Sequence, residues 1–192
     1  MHRVILATKS KARQRLLRQI GLKFLVAKPS IKENRSLKSE CSKLVIDNAL
    51  RKARDVAGRF SSGVVIAADT VVLVGKRIVG KPRSRSDAFK TLKLLSQRPQ
   101  WVFTGLAVIR IDDNRIFTSY DKTKLYMCPL SDKQISSYFE HNSPFDKSGG
   151  FDIQGRGSVY INRIEGCFYN VIGLPLAKLA KILEKLGIDV YA

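Results

Sequence analysis

The amino-acid sequence predicts an α/β fold built on a mixed β-sheet that is flanked by helices. Patterns typical of strands and of helices alternate along the 192 residues, which favours this class. Two hairpin signals, at residues 75–77 and 112–114, predict antiparallel pairs within the sheet. The sequence contains no repeat, low-complexity segment or linker, so we expect a single domain over residues 1–192 with two lobes.

The first sixty residues predict two strands and two helices. In order, these are a strand at 3–7, a helix from 10 to 21, a strand at 24–27, a polar loop at 29–38 and a helix at 40–58. The hydroxyl of Ser10 can cap the first helix, and Gly21 can end it. Apolar residues recur at helical spacing in the second helix, which is typical of an amphipathic one.

The rest of the chain predicts longer strands with helices between them. The predicted elements are a strand at 63–74 that turns back into 78–79, a helix beginning at Ser86 or Asp87, strands at 101–111 and 115–127, a helix opened by a capping box of Ser131 and Gln134, a glycine-rich stretch at 146–157, a strand at 159–161 and a helix at 174–186.

Composition excludes several classes of protein. Hydrophobic residues make up 44% of the chain, which is too much for a disordered protein. No apolar run reaches the roughly 20 residues that a membrane helix needs, and the apolar start is too short for a signal peptide. Three widely spaced cysteines indicate neither a disulfide framework nor a zinc site. We therefore expect a cytoplasmic protein with no membrane partner.

The chain is strongly basic. It has 35 Lys and Arg against 16 Asp and Glu, a net charge of +19, and residues 1–60 alone carry 16 basic and 4 acidic side chains. Such a field attracts polyanions. Nucleic acid, anionic lipid and nucleotide phosphates are all candidates, and charge alone does not choose among them.

Two segments combine strand ends with reactive groups. After the first strand, Thr8, Ser10 and Arg13 surround the start of a helix, where free amides and hydroxyls suit a phosphate. The alternative is an ordinary helix cap on a basic turn. Asp69 interrupts the apolar strand at 63–74, and a carboxylate there can take a proton from water or hold a metal. The alternative is a carboxylate that bonds local backbone.

Three further segments are less specific. Lys81 follows a hairpin in Gly-Lys-Pro, which lacks the spacing of a P-loop, so it can equally be a turn lysine. Glycines at 146–157 permit close approach to a ligand, and Gln154 can read a base edge, but a plain flexible loop gives the same pattern. We interpret residues 166–175 as structural, because they lead Pro175 into the last helix.

Taken in order, these segments resemble the Maf family of nucleotide pyrophosphatases over nearly the whole chain. The matching motifs are the hydroxyl- and Arg-containing turn at 6–17, Lys32-Glu33, Lys52-Ala53, Ala68-Asp69-Thr70, Gly80-Lys81-Pro82, Ile153-Gln154-Gly155 and the Asn-Val-x-Gly-Leu-Pro sequence at 170–175.

The resemblance implies both a fold and an activity. The implied fold is an elongated mixed sheet in two lobes around a central cleft, similar to that of inosine triphosphate pyrophosphatases. The implied activity is hydrolysis of nucleoside triphosphates to the monophosphate and pyrophosphate with a divalent metal, Mg²⁺ or Mn²⁺. A homodimer is implied too, with roles in arrest of cell division and in removal of non-standard nucleotides.

The resemblance also assigns site residues. It implies catalytic roles for Asp69, Glu33 and Lys81, with Asp69 as the proton acceptor, and metal binding by Glu33 and Asp69. Substrate binding is implied for Thr8, Ser10, Arg13, Lys52 and Lys81. Specificity is implied for Ala12, Thr70 and Gln154, where the branch that acts on dTTP and UTP has Arg, Thr and Gln. Two of these three positions match that pyrimidine branch.

Several positions depart from the family pattern. Ala12 fits neither branch, Lys32 replaces an acidic residue beside Glu33, and Gln100 stands where a His is common. These changes bear on substrate choice and metal affinity rather than on reaction type.

Two other functions compete with the enzyme. The basic charge favours a nucleic-acid-binding regulator, although the sequence has no RRM, KH, zinc or helix-turn-helix signature. A non-catalytic protein kept for contacts in cell division is the third hypothesis. Release of pyrophosphate from a nucleotide would distinguish the enzyme from both.

Overall fold

The computed structural model describes residues 3–34, 40–145 and 148–190. Its strands are β1 (Val4–Ala7), β2 (Leu25–Ala27), β3 (Val64–Val74), β4 (Arg77–Val79), β5 (Gln100–Arg110), β6 (Arg115–Met127) and β7 (Ile161–Glu165). Its α-helices are α1 (Lys11–Gln19), α2 (Cys41–Ala57), α3 (Arg85–Gln97), α4 (Asp132–His141), α5 (Phe168–Ile172) and α6 (Leu176–Glu184). Across these described ranges, no helix combines the length and apolar character required to cross a bilayer.

The strands form one mixed sheet in the order β2-β1-β3-β5-β6-β7, with β4 paired to β3. β1 runs parallel to both β2 and β3, whereas β4 is antiparallel to β3 and β7 is antiparallel to β6. The predicted α/β class with a mixed sheet and flanking helices is therefore confirmed.

The chain divides into two compact units. One comprises Met1–Thr70, Phe103–Asp121 and Tyr169–Ala192, and the other Val71–Val102 and Lys122–Phe168. Strands β3, β5 and β6 therefore contribute residues to both units. The expectation of a single domain with two lobes around a cleft stays a prediction.

In the first unit, β3 is buried on both faces. Val64, Ile66 and Ala68 belong to the apolar cluster that includes α1 and α6, while Val65 and Ala67 belong to the cluster that includes α2. Successive side chains of a strand point to opposite faces of the sheet, so a continuous apolar run serves two helical layers at once. This explains why β3 is the most apolar stretch of the chain.

In the second unit, α3 and α4 share one apolar cluster with residues of β3, β4 and β6. The ring of Tyr138 on α4 contacts three other aromatic rings, those of Phe139, Phe151 and Tyr160. Its hydroxyl accepts a hydrogen bond from the Asp152 amide at 3.0 Å. Burial raises the pKa of the Tyr138 hydroxyl.

Several predicted caps and turns are confirmed. The Ser10 side chain caps α1 by accepting from the Arg13 amide, and Ser131 and Gln134 form the predicted capping box at α4. Asn114 adopts a φ of 55° in the β5–β6 hairpin, the left-handed conformation that such turns favour. These signals depend only on residues that are close in sequence, so they can be recognised before the fold is known.

The predicted cap of α3 is wrong. The N-cap is Ser84, whose hydroxyl accepts from the Asp87 amide at 3.1 Å, while the Asp87 carboxylate accepts from the Arg83 amide at 3.0 Å. Ser86 and Asp87 lie instead within the first turn. Ser84, Ser86 and Asp87 can each cap a helix. The helix begins after Ser84 because this start buries Ala88 and the apolar residues that follow it on the same face.

The predicted strand at 159–161 is also wrong. Residues Arg156–Tyr160 form a 3₁₀ helix, and β7 begins only at Ile161. Val159 is 73% exposed, so its β-branched side chain serves no sheet face. The short helix α5 was not predicted, and α6 is shorter than the expected 174–186 because Pro175 is its N-cap and Lys185 its C-cap.

Gly105 on β5 lets α2 rest directly on the sheet. A Cβ at this position would lie 2.3 Å from the backbone carbon and oxygen of Val45 on α2. No side chain fits into that space. The absence of a side chain at Gly105 therefore sets how closely α2, and every residue it carries, approaches the strands.

We expect the substitution Gly105→Ala to lower the free energy of unfolding by about 3 kcal/mol or more, because overpacking against backbone cannot be relieved by a rotamer change. Chemical denaturation measures this. Gly58→Ala is the matched control, since its Cβ would meet only the Arg54 carbonyl, at 3.7 Å, and its φ of −62° suits alanine. Equal free energies of unfolding for the two variants would contradict the close packing of α2 on β5.

Candidate active site

Asp69 lies near the end of the first-unit part of β3 and is only 4% exposed. Its Oδ1 accepts from Lys52 Nζ at 2.6 Å, and its Oδ2 accepts from Asn48 Nδ2 at 2.9 Å. Lys52 Nζ also donates to Glu33 Oε1 at 2.6 Å and to the Ala68 carbonyl at 3.5 Å. One ammonium therefore joins two carboxylates from distant parts of the chain.

Alternation along β3 explains this contact. Asp69 continues the series Val65 and Ala67, whose side chains face α2, and α2 carries Lys52. Thr70, the next residue, belongs to the alternate series that packs with α1. Adjacent residues of one strand thus bring the site its carboxylate and its hydroxyl from opposite faces of the sheet.

Asn48 and Lys52 lie one turn apart on α2, so they share a face. That face is otherwise apolar, yet Asn48 is 1% and Lys52 is 5% exposed. Burying polar groups is costly unless they are hydrogen-bonded, and here both are. Asn48 is a site residue that the sequence reasoning missed. Its buried position four residues before Lys52 in an apolar face is the signal that could have found it.

Asn48 also fixes the loop that carries Glu33. Asn48 Oδ1 accepts from the Asn34 amide at 2.8 Å, and Asn48 Nδ2 donates to the Asn34 carbonyl at 2.8 Å. With its second proton on Asp69, the Nδ2 group is fully used. The side chain of Glu33 is 35% exposed, so this carboxylate is open to solvent while that of Asp69 is not.

Arg13 on α1 is the second cation of the site. Its Nε donates to the Gly173 carbonyl at 2.7 Å, and its Nη2 donates to Thr70 Oγ1 at 2.8 Å. Burial lowers the pKa of the Arg13 guanidinium, while the charges of Asp69 and Glu33 oppose that shift. The group stays protonated because its pKa begins far above neutrality.

Gly173 belongs to the segment at 166–175 that we interpreted as structural. Its φ is 112°, and a Cβ there would lie 3.1 Å from Thr70 Oγ1 and 3.4 Å from Arg13 Nε. The segment does lead into α6, but its backbone also holds Arg13. No local pattern reveals this, because the two contacting residues are 160 positions apart.

Thr8 and Ser10 shape the turn before α1. Thr8 is 3% exposed, and its Oγ1 accepts from the Ser10 amide at 3.0 Å, while Ser10 Oγ accepts from the Arg13 amide at 3.4 Å. Both hydroxyls act as acceptors within the turn, and each has a proton to donate. Ala12 is half-buried on α1 and brings no polar group.

Lys81 and Gln154 belong to the second unit. Lys81 is exposed in the segment after β4, whose Gly80 carbonyl accepts from the Gly149 amide at 2.9 Å. Gln154 is exposed too, and its amide donates to Asp152 Oδ1 at 3.0 Å. The segment that contains Lys81 and the glycine-rich segment at 146–157 are therefore in contact within this unit. Asp146 and Lys147, at the start of the glycine-rich segment, lie outside the described residues.

The donor set suits a hard divalent cation. Mg²⁺ is commonly held by one or two carboxylates together with water and substrate phosphates, and Asp69 and Glu33 are two carboxylates that meet one ammonium. In the described part of the chain, no group of three or more acidic, His or Cys side chains forms a metal cage. Asp69 and Glu33 are therefore the residues that would hold such an ion.

Solved structures share the fold. The structure of a HAM1 protein from Coxiella burnetii matches 96% of this chain and 100% of its own, with a TM-score of 0.58 and 15% sequence identity. The Staphylococcus aureus Ham1 protein matches 95% and 98%, with a TM-score of 0.54 and 14% identity. At such low identity the likeness concerns the fold alone.

Sequence comparison identifies nearer relatives. Proteins named dTTP/UTP pyrophosphatase from Methanosarcina barkeri and Methanosarcina mazei are 42% and 44% identical over 192 residues, covering 100% of this chain and 98% of theirs. One from Carboxydothermus hydrogenoformans is 40% identical over 185 residues, covering 96% of this chain and 99% of its own. The sequence model for "Maf-like protein" matches residues 3–186. The resemblance inferred from the ordered motifs is confirmed, and the chain belongs to the Maf family.

Proposed function

We propose that the chain hydrolyses nucleoside triphosphates to the monophosphate and pyrophosphate, with dTTP and UTP as its substrates. The enzyme class predicted from the sequence is confirmed by relatives that carry the name dTTP/UTP pyrophosphatase over essentially their whole length. The observation that carries the residue assignment is the buried Lys52 ammonium, which holds the carboxylates of Asp69 and Glu33 within 2.6 Å.

Asp69 is the proton acceptor in this proposal. The described contacts use one lone pair on each carboxylate oxygen, so each oxygen can accept a further hydrogen bond from water. The water attacks the α-phosphorus, the bond from that phosphorus to the bridging oxygen breaks, and pyrophosphate leaves. The water's proton passes to Asp69 and then to solvent. Lys52 and Asn48 fix the carboxylate, which keeps the water aimed.

Cations bind the triphosphate and neutralise the charge that grows on the leaving group. Arg13 uses two N–H groups on Gly173 and Thr70, and its other N–H groups can fork onto phosphate oxygens. Thr8 and Ser10 add hydroxyl protons at the start of α1, a helix of 9 residues whose free amides also favour anions. The family resemblance gives Lys81 the same phosphate-binding role.

In this proposal Asp69 and Glu33 would hold a divalent cation, Mg²⁺ or Mn²⁺. When bound, it neutralises phosphate charge and orients the triphosphate. Lys32 beside Glu33 lowers the negative charge of the loop, so the affinity for the free cation is expected to be modest until the nucleotide supplies its phosphates.

The base is read by Thr70 and Gln154 in this proposal. Both residues match the pyrimidine branch, whereas Ala12 removes the arginine that the branch otherwise has at that position. A smaller residue there leaves more room, which extends the range of substrates to modified pyrimidine nucleotides.

The biological setting completes the proposal. We propose a cytoplasmic homodimer that removes non-standard nucleotides and contributes to arrest of cell division. The number and wide spacing of Cys41, Cys128 and Cys167, which indicate no disulfide framework, support a reducing compartment.

A panel of nucleotides tests the activity. With Mg²⁺ or Mn²⁺, we expect pyrophosphate release from dTTP and UTP to exceed that from purine triphosphates, and chelation of the metal to abolish it. Phosphate and pyrophosphate are assayed separately, so that cleavage at the α–β bond is distinguished from loss of the γ-phosphate. A nucleic-acid-binding regulator would release neither, and its affinity for DNA would fall steeply with salt.

Asp69→Asn tests the proton acceptor. Removing a positioned general base is expected to reduce kcat about 10²–10⁴-fold, because the amide cannot take the proton. Asp47→Asn, an exposed change on α2, is the matched control and should keep full activity. Hydrolysis of dTTP by folded Asp69→Asn within a few-fold of the unaltered protein would remove Asp69 from the mechanism.

Lys52→Met tests the ammonium. This change leaves the buried carboxylate of Asp69 without its cation, and breaking a buried ion pair from one side costs about 3–5 kcal/mol of unfolding free energy. Lys43→Met on the same helix is the control, because its ion pair with Glu40 spans 3.7 Å between side chains that are 73% and 74% exposed. Denaturation curves that moved equally for both variants would refute the special role of Lys52.

A further inference from the structure

A chain of hydrogen bonds runs from Arg13 through two threonines into the backbone. Arg13 Nη2 lies 2.8 Å from Thr70 Oγ1, which lies 2.9 Å from Thr104 Oγ1. Thr104 Oγ1 in turn donates to the Asn170 carbonyl at 2.9 Å. All four residues belong to the first unit, and Thr104 is fully buried on β5. The sequence reasoning gave Thr104 no role.

The chemistry of the two ends fixes the direction of every bond between them. A guanidinium can only donate, and a carbonyl oxygen can only accept. The single proton of Thr104 is used on the Asn170 carbonyl, so Thr70 must donate its own proton to Thr104. Thr70 accepts from Arg13 at the same time. When all three hydrogen bonds are made at once, the polarity is uniform along the chain, and Thr70 accepts from Arg13 and donates to Thr104.

This leaves the Thr70 oxygen with one lone pair and no proton to offer. The oxygen is also confined, because a methyl group at Gly173 would already approach it to 3.1 Å. Thr70 is partly exposed, whereas Thr104 is not. A ligand that touches the Thr70 hydroxyl therefore meets an acceptor.

We propose that Thr104 is a positioning residue that makes Thr70 an obligate hydrogen-bond acceptor, and that this polarity selects bases bearing an N–H at the contact. The inference rests on the proposed function, in which Thr70 contacts the base. The proposed contact is with N3 of the base, where uracil and thymine carry a proton and cytosine presents an unprotonated nitrogen with a lone pair. The fixed Thr70 hydroxyl thus favours UTP and dTTP over CTP and dCTP without any change in pocket size.

Replacing Thr104 by valine tests the polarity at nearly constant volume. In Thr104→Val, Thr70 still accepts from Arg13, but its proton no longer has the Thr104 oxygen and can turn to a base. We expect the ratio of kcat/KM for UTP over CTP to fall about tenfold, since a net hydrogen bond contributes roughly that factor. The change should appear mainly in KM, because the contact is made in the ground state and the transition state alike.

Three variants separate polarity from mere stability. Thr104→Ser keeps the hydroxyl and should keep the ratio of the unaltered protein, whereas Thr104→Ala should lower it as valine does. Thr123→Val is the matched control: Thr123 is a fully buried strand threonine of the second unit whose Oγ1 donates to the Cys167 carbonyl at 3.1 Å. It should lose stability and leave the ratio unchanged.

The outcomes are distinct. Folded Thr104→Val and Thr104→Ala with an unchanged ratio would overturn the inference and leave the proposed function standing. Loss of the ratio in Thr104→Ser would also overturn it, because the hydroxyl is then not the cause. If the unaltered protein released pyrophosphate from neither UTP nor CTP, the proposed function would fail and the inference with it. A ratio that falls in valine and alanine but not in serine or in Thr123→Val supports the inference.

Discussion

The Lys52 ammonium is the interaction on which the first unit's site depends. A carboxylate inside an apolar strand is unfavourable by itself, and Asp69 is tolerable at 4% exposure only because a cation and an amide contact its two oxygens. That cation reaches it because Gly105 lets α2 touch β5 directly. The same ammonium holds Glu33 and so ties the loop to the strand. The buried ion pair of Asp69 and Lys52 therefore depends on the close packing of α2 against β5 at Gly105.

Local patterns predicted the elements that are governed by local physics. The bounds of α2 follow from hydrophobic periodicity and those of β3 from a continuous apolar, β-prone run, while the cap at Ser131 follows from a reciprocal pair three residues apart. Prediction failed where several residues offered the same signal, as at the start of α3, or where a β-branched residue is exposed, as at Val159. In both cases burial against other elements made the choice, and burial is not written in a short window of sequence.

The site residues likewise divide into those that the sequence predicted and those that only the fold reveals. Asp69, Lys52, Glu33 and Arg13 could be assigned from the order of motifs along the chain, and the structure brings the first three into direct contact. Asn48, Thr104 and Gly173 were missed because their roles exist only through partners elsewhere in the chain, 66 positions away for Thr104 and Asn170. An asparagine in a helix and a threonine in a strand are unremarkable until the fold gives them a partner. The roles of all the predicted site residues stay predictions, including those of Lys81, Gln154 and Ala12, which the described contacts do not join to Asp69.

Donor-only cations give the site its hydrogen-bonding direction. Lys52 and Arg13 have no acceptor atoms, so every oxygen that they touch must accept. Lys52 therefore meets acceptor oxygens on Asp69 and Glu33, and Arg13 meets one on Thr70, whose own proton is directed to Thr104 in the proposed arrangement. Successive side chains of β3 point to opposite faces of the sheet. Lys52 therefore contacts Asp69 on one face, and Arg13 contacts Thr70 on the other. In the proposed function, these cations would offer N–H groups to the phosphates of a nucleotide, and the acceptors would face its attacking water and its base. Two neutral polar residues at these positions could adopt either hydrogen-bond direction, and the discrimination between donor and acceptor would be lost.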